Sequence, residues 1–284
     1  MRVKFIFQIA IDRKFLLKHS LQRLDELKNI MSVLEKLLAA DEGEPAIVEN
    51  KEGRGPFVFV CEHASALLPV SLGTLGLNGE ALKSHIAWDP GALAVSQILS
   101  GHFDAPLVYQ RYSRLAYDCN RPPESPAAMP VKSEIYAVPG NAAMTPANRD
   151  ARIKEIYEPF HAAIREVLNE RRNAGVKTVL VTMHTFTPVY FGKKRDVEIG
   201  ILHDSDARMA DAMIVAASTD GPFDLRRNEP YGPQDGVTHT LKLHGVANGL
   251  QNVMIEIRND RVRDATEQGV AADYIAGLLL RAVG

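Results

Sequence analysis

The stretch Phe57-Val58-Phe59-Val60-Cys61-Glu62-His63-Ala64-Ser65 decides how the rest of the chain is read. It opens as an apolar run of β-branched and aromatic residues, the composition of a buried strand. It then changes, without a spacer, to Glu, His and Ser. In an open α/β sheet such a change falls at the carboxyl end of a strand, where ligands bind.

Working outward, the same pattern recurs twice. A strand at 178–183 runs straight into His184-Thr185-Phe186, and a strand at 252–258 closes in Glu256-Ile257-Arg258. Further strands are expected at 105–110, 197–202 and 223–226. Between them lie helical patterns. One follows Asp89-Pro90-Gly91, read as an N-cap with proline at the first helical position. A longer one begins at Thr145-Pro146 and ends near Gly175, with Ile153, Ile156, Tyr157, Phe160, Ile164, Val167 and Leu168 as its buried stripe. Others cover 204–217 and 263–283. Residues 41–55 read as an acidic, glycine-rich linker, and 111–148 and 231–245 as loops. Strands alternating with helices predict an α/β three-layer domain around a mostly parallel sheet.

The bulk composition narrows the function. A formal net charge of -2 gives no footprint for nucleic acid, and Lys193-Lys194-Arg195 is too short to make one. No apolar run reaches membrane-spanning length, so no membrane role is expected. Two cysteines, Cys61 and Cys119, make no disulfide framework, which points to a reducing compartment and a cytoplasmic location. The 284 residues are divided into an N-terminal helical arm, 1–41, and a single domain, 42–284. The arm is basic at its start and carries Leu16, Leu17, Leu21, Leu24, Leu27, Ile30 and Leu34 at helical spacing. It reads as a docking helix, a transit peptide or an over-called start, and initiation at Met31 is preferred of the three. Oligomeric state is not legible.

Three strand ends with ionisable residues share one edge if their strands are parallel. Two imidazoles, His63 and His184, with a carboxylate are the ligand set of an open catalytic zinc site. Glu256, inside an otherwise apolar strand, is costly unless paired or used. It is read either as a proton carrier or as the partner of Arg258, two residues on. Cys61 as a nucleophile is the weaker alternative, because neighbouring strand residues face opposite ways. The long loop carries Arg111, Arg114, Asp118, Asn120 and Arg121. An arginine fork beside an asparagine amide suits a substrate carboxylate. His239 and His244, in the loop after Tyr231, are candidates to line the pocket or donate a proton.

Cys61-Glu62-His63-Ala64-Ser65, Trp88-Asp89-Pro90-Gly91-Ala92, Asp118-Cys119-Asn120-Arg121-Pro122, Met183-His184-Thr185-Phe186 and Ile255-Glu256-Ile257-Arg258-Asn259-Asp260 occur in this order. Together they resemble the N-formylglutamate amidohydrolase family, from Pro56 to the C-terminus. The resemblance implies an α/β/α sandwich with a mixed sheet, similar to zinc carboxypeptidases and succinylglutamate desuccinylases. It implies zinc-dependent hydrolysis of the amide of an N-acyl amino acid, with N-formyl-L-glutamate as the type substrate. By the same resemblance His63 and His184 are metal ligands and Glu256 the general base. Asn120 and Arg121, with Arg258 and His239 added, hold the substrate. Carboxypeptidases place a Glu ligand three residues after the first His, where this chain has Ala66. The third ligand is therefore either Glu62, preferred for proximity, or Asp89. An amidase for another N-acyl amino acid or a cell-wall peptide, and a binding protein without turnover, are the alternatives.

Overall fold

The computed structural model describes residues 36–217 and 221–284. Most of the expected arm, 1–41, lies outside the described residues. Its last residues are anchored: Leu37 is buried, and the amides of Leu37 and Leu38 donate to the Glu155 carboxylate at 3.0 Å each.

Seven strands form one mixed sheet: β1 (Ala46–Glu49), β2 (Phe57–Cys61), β3 (Leu107–Gln110), β4 (Val179–Phe186), β5 (Ile199–Leu202), β6 (Leu225–Arg227) and β7 (Asn252–Arg258). Their spatial order is β1-β3-β2-β4-β7-β5-β6. The pairs β3/β2, β2/β4, β4/β7 and β5/β6 are parallel, whereas β1/β3 and β7/β5 are antiparallel. Helices cover both faces, so the sheet is the middle layer of an α/β/α sandwich. Ala92–Phe103 (α1), Arg208–Ala216 (α3) and Ala265–Val283 (α4) pack on one face, against Phe57, Phe59, Val181 and Ile255. Glu158–Asn173 (α2) packs on the other, against Val58, Val60 and Leu180. Residues of one strand go alternately to the two layers, as the two-residue period of a strand requires. That is why 57–61 is apolar without a break: both faces of β2 are buried. Each phenylalanine so buried contributes about 1.5–3 kcal/mol.

Three expectations are corrected. The supposed linker 41–55 contains β1, a four-residue edge strand too short to show a clear alternation. Asp89 is not a helix N-cap. Gly91 holds that place at φ 85°, and the helix begins at Ala92. A β-carbon on Gly91 would lie 2.6 Å from Val262 Cγ2 and 2.7 Å from the Val262 carbonyl oxygen, so this turn admits only glycine. The supposed loop 231–245 ends in a π-helical turn, Leu241–Gly245. A second π turn, Ile153–Tyr157, interrupts the long helix that leads into α2.

β2, β4 and β7 are central and parallel, so their carboxyl ends share an edge. His184 is level with Glu256 across the β4/β7 ladder, and Val60 is level with Thr182 across β2/β4. The second register sets Glu62, two residues on, beside His184.

Candidate active site

At this edge three buried side chains converge. The two imidazole rings are 4.8 Å apart, centroid to centroid. His63 Nδ1 and His184 Nδ1 are 3.2 Å apart, and the Asp89 Oδ2 oxygen lies 3.2 Å from the first and 3.0 Å from the second. Asp89 is set by its neighbours. Its amide donates to the His63 carbonyl at 2.9 Å, and its Oδ2 accepts from the Thr185 amide at 3.3 Å.

The outer nitrogens of both rings face carboxylates. Asp118 Oδ1 lies 2.7 Å from His63 Nε2, and Glu62 Oε2 lies 3.1 Å from His184 Nε2. The first is a hydrogen bond. The second is at ion-pair distance but off hydrogen-bond alignment. Carboxylates behind the rings favour the Nε2–H tautomer, which turns the bare Nδ1 lone pairs toward each other and toward Asp89. Three electron-rich atoms about 3 Å apart repel unless a cation lies between them. Two imidazoles and a carboxylate are the donor set for zinc, with ligand bonds of about 2.0–2.2 Å. Donors that close to one another suit bonds of that length, so the residues fit the metal.

The surrounding carboxylates favour positive charge at this point, whether a proton or a metal ion supplies it. Burial alone would lower the basicity of His184, but Glu62 and Asp89 overcome it and hold the imidazole well above the usual histidine range. His63 is likewise raised, with burial and Arg114 opposed by Asp118 and Asp89. Burial pushes Asp118 up, yet Arg114 and His63 hold it well below the ordinary carboxylate range. Glu256 behaves differently. Burial raises it to about 7 against the pull of His184, and its Oε2 has no partner. It lines the same cavity, of about 330 Å³, as His63, Asp89 and His184.

Of the residues expected from the sequence, His63, His184, Asp89, Glu256, Asn120 and Arg121 all line this cavity. Glu62 stands behind His184 and does not face the shared point, so Asp89 is the carboxylate among the imidazoles. Asn120 is already committed: its Nδ2 donates to the Val237 carbonyl at 2.5 Å and its Oδ1 accepts from the Thr240 amide at 3.1 Å. Arg258 is turned away. It binds Asp260 at 2.8 Å and Glu198 at 3.3 Å, so neither a substrate contact nor an ion pair with Glu256 is formed. A two-residue spacing shares a strand face only while the strand stays regular, and the chain leaves β7 for a short 3-10 turn at Asn259–Arg261. His239 is also outside the cavity, bonded at 2.9 Å to the Tyr157 hydroxyl. Cys61 packs with Ala64 and Ala92, and burial keeps its thiol protonated, which removes the nucleophile alternative.

Two residues have positions here that the sequence did not disclose. Asp118 backs His63, and Arg114 donates to Asp118 Oδ2 at 2.6 Å and to Asp89 Oδ1 at 3.4 Å. Their four-residue spacing inside a proline-rich loop was the available signal, but nothing local tells which side of the loop faces the sheet.

The fold and this edge define the chain as an α/β/α sandwich protein with a buried His-Asp-His cluster at the carboxyl ends of its central strands. The model of the N-formylglutamate amidohydrolase family matches residues 55–262, and the chain belongs to that family. The structure is similar to that of gene product Atu2144 from Agrobacterium tumefaciens, with TM-score 0.86 and 55% identity over 87% of this chain and 98% of that one. It is also similar to N-formylglutamate amidohydrolase from Ralstonia eutropha JMP134, with TM-score 0.57 and 19% identity over 85% and 98% of the two chains. At that identity the second likeness shows the shared fold. No curated protein matches the sequence.

Proposed function

We propose that the protein is a metal-dependent amidohydrolase that splits the amide of an N-acyl amino acid, with N-formyl-L-glutamate as its reference substrate. The observation that carries this reading is the convergence of His63 Nδ1, His184 Nδ1 and Asp89 Oδ2 within 3.0–3.2 Å, beside an unpartnered Glu256. One divalent ion, zinc by its donor set, supplies a Lewis acid for the amide carbonyl and a means of ionising water near neutral pH.

The chain's own residues supply the rest. Glu256, buried at the same edge with no partner for its Oε2, takes a proton from the attacking water and passes it to the departing amide nitrogen. The C–N bond breaks, a C–O bond forms, and the products are the free amino acid and formate or another carboxylate. Asp118 and Glu62 keep the two rings in the required tautomer. Arg121 holds the substrate carboxylate, with Asn120 bracing the segment that carries Val237. In this reading the catalytic unit is the domain 42–284. A cytoplasmic location is supported by the two buried, unpaired cysteines. No helix among the described residues is long and apolar enough to cross a membrane.

The test is metal analysis of the purified protein combined with an assay for amino-acid release. Wild type is expected to hold one divalent ion per chain and to turn over. Glu256→Gln is expected to keep the ion and lose about 10²- to 10⁴-fold in kcat. His184→Ala is expected to lose both. A wild-type protein that binds no divalent ion, or a Glu256→Gln variant with full kcat, sinks the proposal.

A further inference from the structure

We infer that this cavity selects N-acyl amino acids with a single carboxylate and a neutral, aromatic side chain over the glutamate derivative. The inference rests on the amidohydrolase reading and concerns what the same cavity admits. N-formylglutamate brings two carboxylates, and each must find a cation once water is stripped from it. Among the described residues lining the cavity there are two guanidiniums, those of Arg114 and Arg121. Arg114 is shared between Asp118 and Asp89, at 2.6 and 3.4 Å. Arg121 bonds only to neutral acceptors, the carbonyls of Gly236 at 2.6 Å and Asn120 at 3.1 Å. Its charge is therefore the one left for a ligand among the described residues at this wall. His85 also reaches the cavity, but Glu134 stands 3.0 Å from its Nε2 and burial lowers its basicity. The Asn120 amide gives its Oδ1 and one N–H to the 237–240 segment, and its second N–H is a neutral donor that brings no charge to a second carboxylate. Asp235 adds negative charge to the same lining.

The remaining surface is aromatic. The rings of Phe186, Tyr190 and Tyr231 line the cavity. The Arg195 guanidinium lies 5.6, 4.4 and 4.8 Å from their three centroids, a cation–π arrangement that holds them as one wall. Arg195 itself opens on a neighbouring groove with Tyr190, not on the cavity. A ring or thioether on the substrate gains by packing against such a wall, whereas a carboxylate there meets only the neutral hydroxyls of Tyr190 and Tyr231.

The experiment measures kcat/KM of the zinc-loaded protein on N-formyl-L-phenylalanine and N-formyl-L-glutamate, with equilibrium binding of the same two compounds by calorimetry. The expected result is a preference for the phenylalanine derivative of about tenfold or more. Equal values, or a preference for glutamate, overturn the inference while leaving the hydrolase reading intact. Binding that favours phenylalanine without turnover of either compound supports the selectivity and overturns the hydrolase reading. Binding of neither overturns both. Arg195→Ala separates wall from anchor. It is expected to cut kcat/KM for the phenylalanine derivative more than for the glutamate derivative. A selective loss on glutamate would make Arg195 the second carboxylate anchor and end the inference.

Discussion

The centre of this protein is a set of side chains whose neighbours leave them one useful orientation. His63 and His184 are each gripped from behind by a carboxylate, which presents the opposite nitrogen to Asp89. The grip by Asp118 is the stronger, at 2.7 Å and aligned, and Arg114 keeps that carboxylate ionised. Asp118→Asn keeps the shape but removes the charge that fixes the tautomer and the basicity of His63. Zinc affinity is expected to fall about 10- to 100-fold, read by competition with a chromophoric chelator. An unchanged affinity would mean that the ring is held by packing alone. Asn120 shows the opposite case. Its chemistry suits a carboxylate, yet its Oδ1 and one of its two N–H groups are taken by backbone of the 237–240 segment, so it braces that loop.

At the scale of elements, the site depends on three adjacent parallel strands ending together and on one turn entering from the side. That turn, 89–91, delivers Asp89 and then starts α1, and Gly91 makes the reversal possible at φ 85°. Gly91→Ala forces a β-carbon into Val262 and an L-residue into left-handed backbone. The expected cost is about 1–3 kcal/mol of stability, measured by urea unfolding of the metal-free protein. Metal affinity should fall with it, since Asp89 lies two residues upstream. Unfolding curves that superimpose on wild type would show that the turn relaxes freely.

For the molecule as a whole, acid stability should be governed partly by a buried pair away from the cavity. His161 Nδ1 and His244 Nε2 are 2.8 Å apart, and His161 Nε2 donates to the Cys119 carbonyl at 2.9 Å. Burial, reinforced for His161 by His244, lowers each to about 3. An unfolded chain titrates its histidines near 6.5. Between these values the unfolded state binds more protons, so stability rises with pH. The contribution is complete above about pH 6.5 and is lost as pH falls toward about 3. His161→Gln removes one of the two groups, and the fall in the urea midpoint from about pH 7 to about pH 4 should become shallower. A slope equal to wild type would show that the pair is not the source.

By itself the amino-acid sequence determined the layers, because patterning is local: a short, unbroken apolar run of β-branched and aromatic residues such as 57–61 reads as a strand covered on both sides. It also placed His63, His184 and Glu256 at strand ends, since the switch from apolar to ionisable residues is written in adjacent positions. Which carboxylate joins the imidazoles was decided by the tertiary structure. Glu62 is next to His63 in the chain but lies behind His184, while Asp89, twenty-six residues away, is carried in by the Gly91 turn. The dismissal of Arg258 and His239 from the cavity was decided the same way. Their partners, Glu198 and Tyr157, are distant in sequence, and a side chain's direction follows from the contacts that satisfy it in three dimensions.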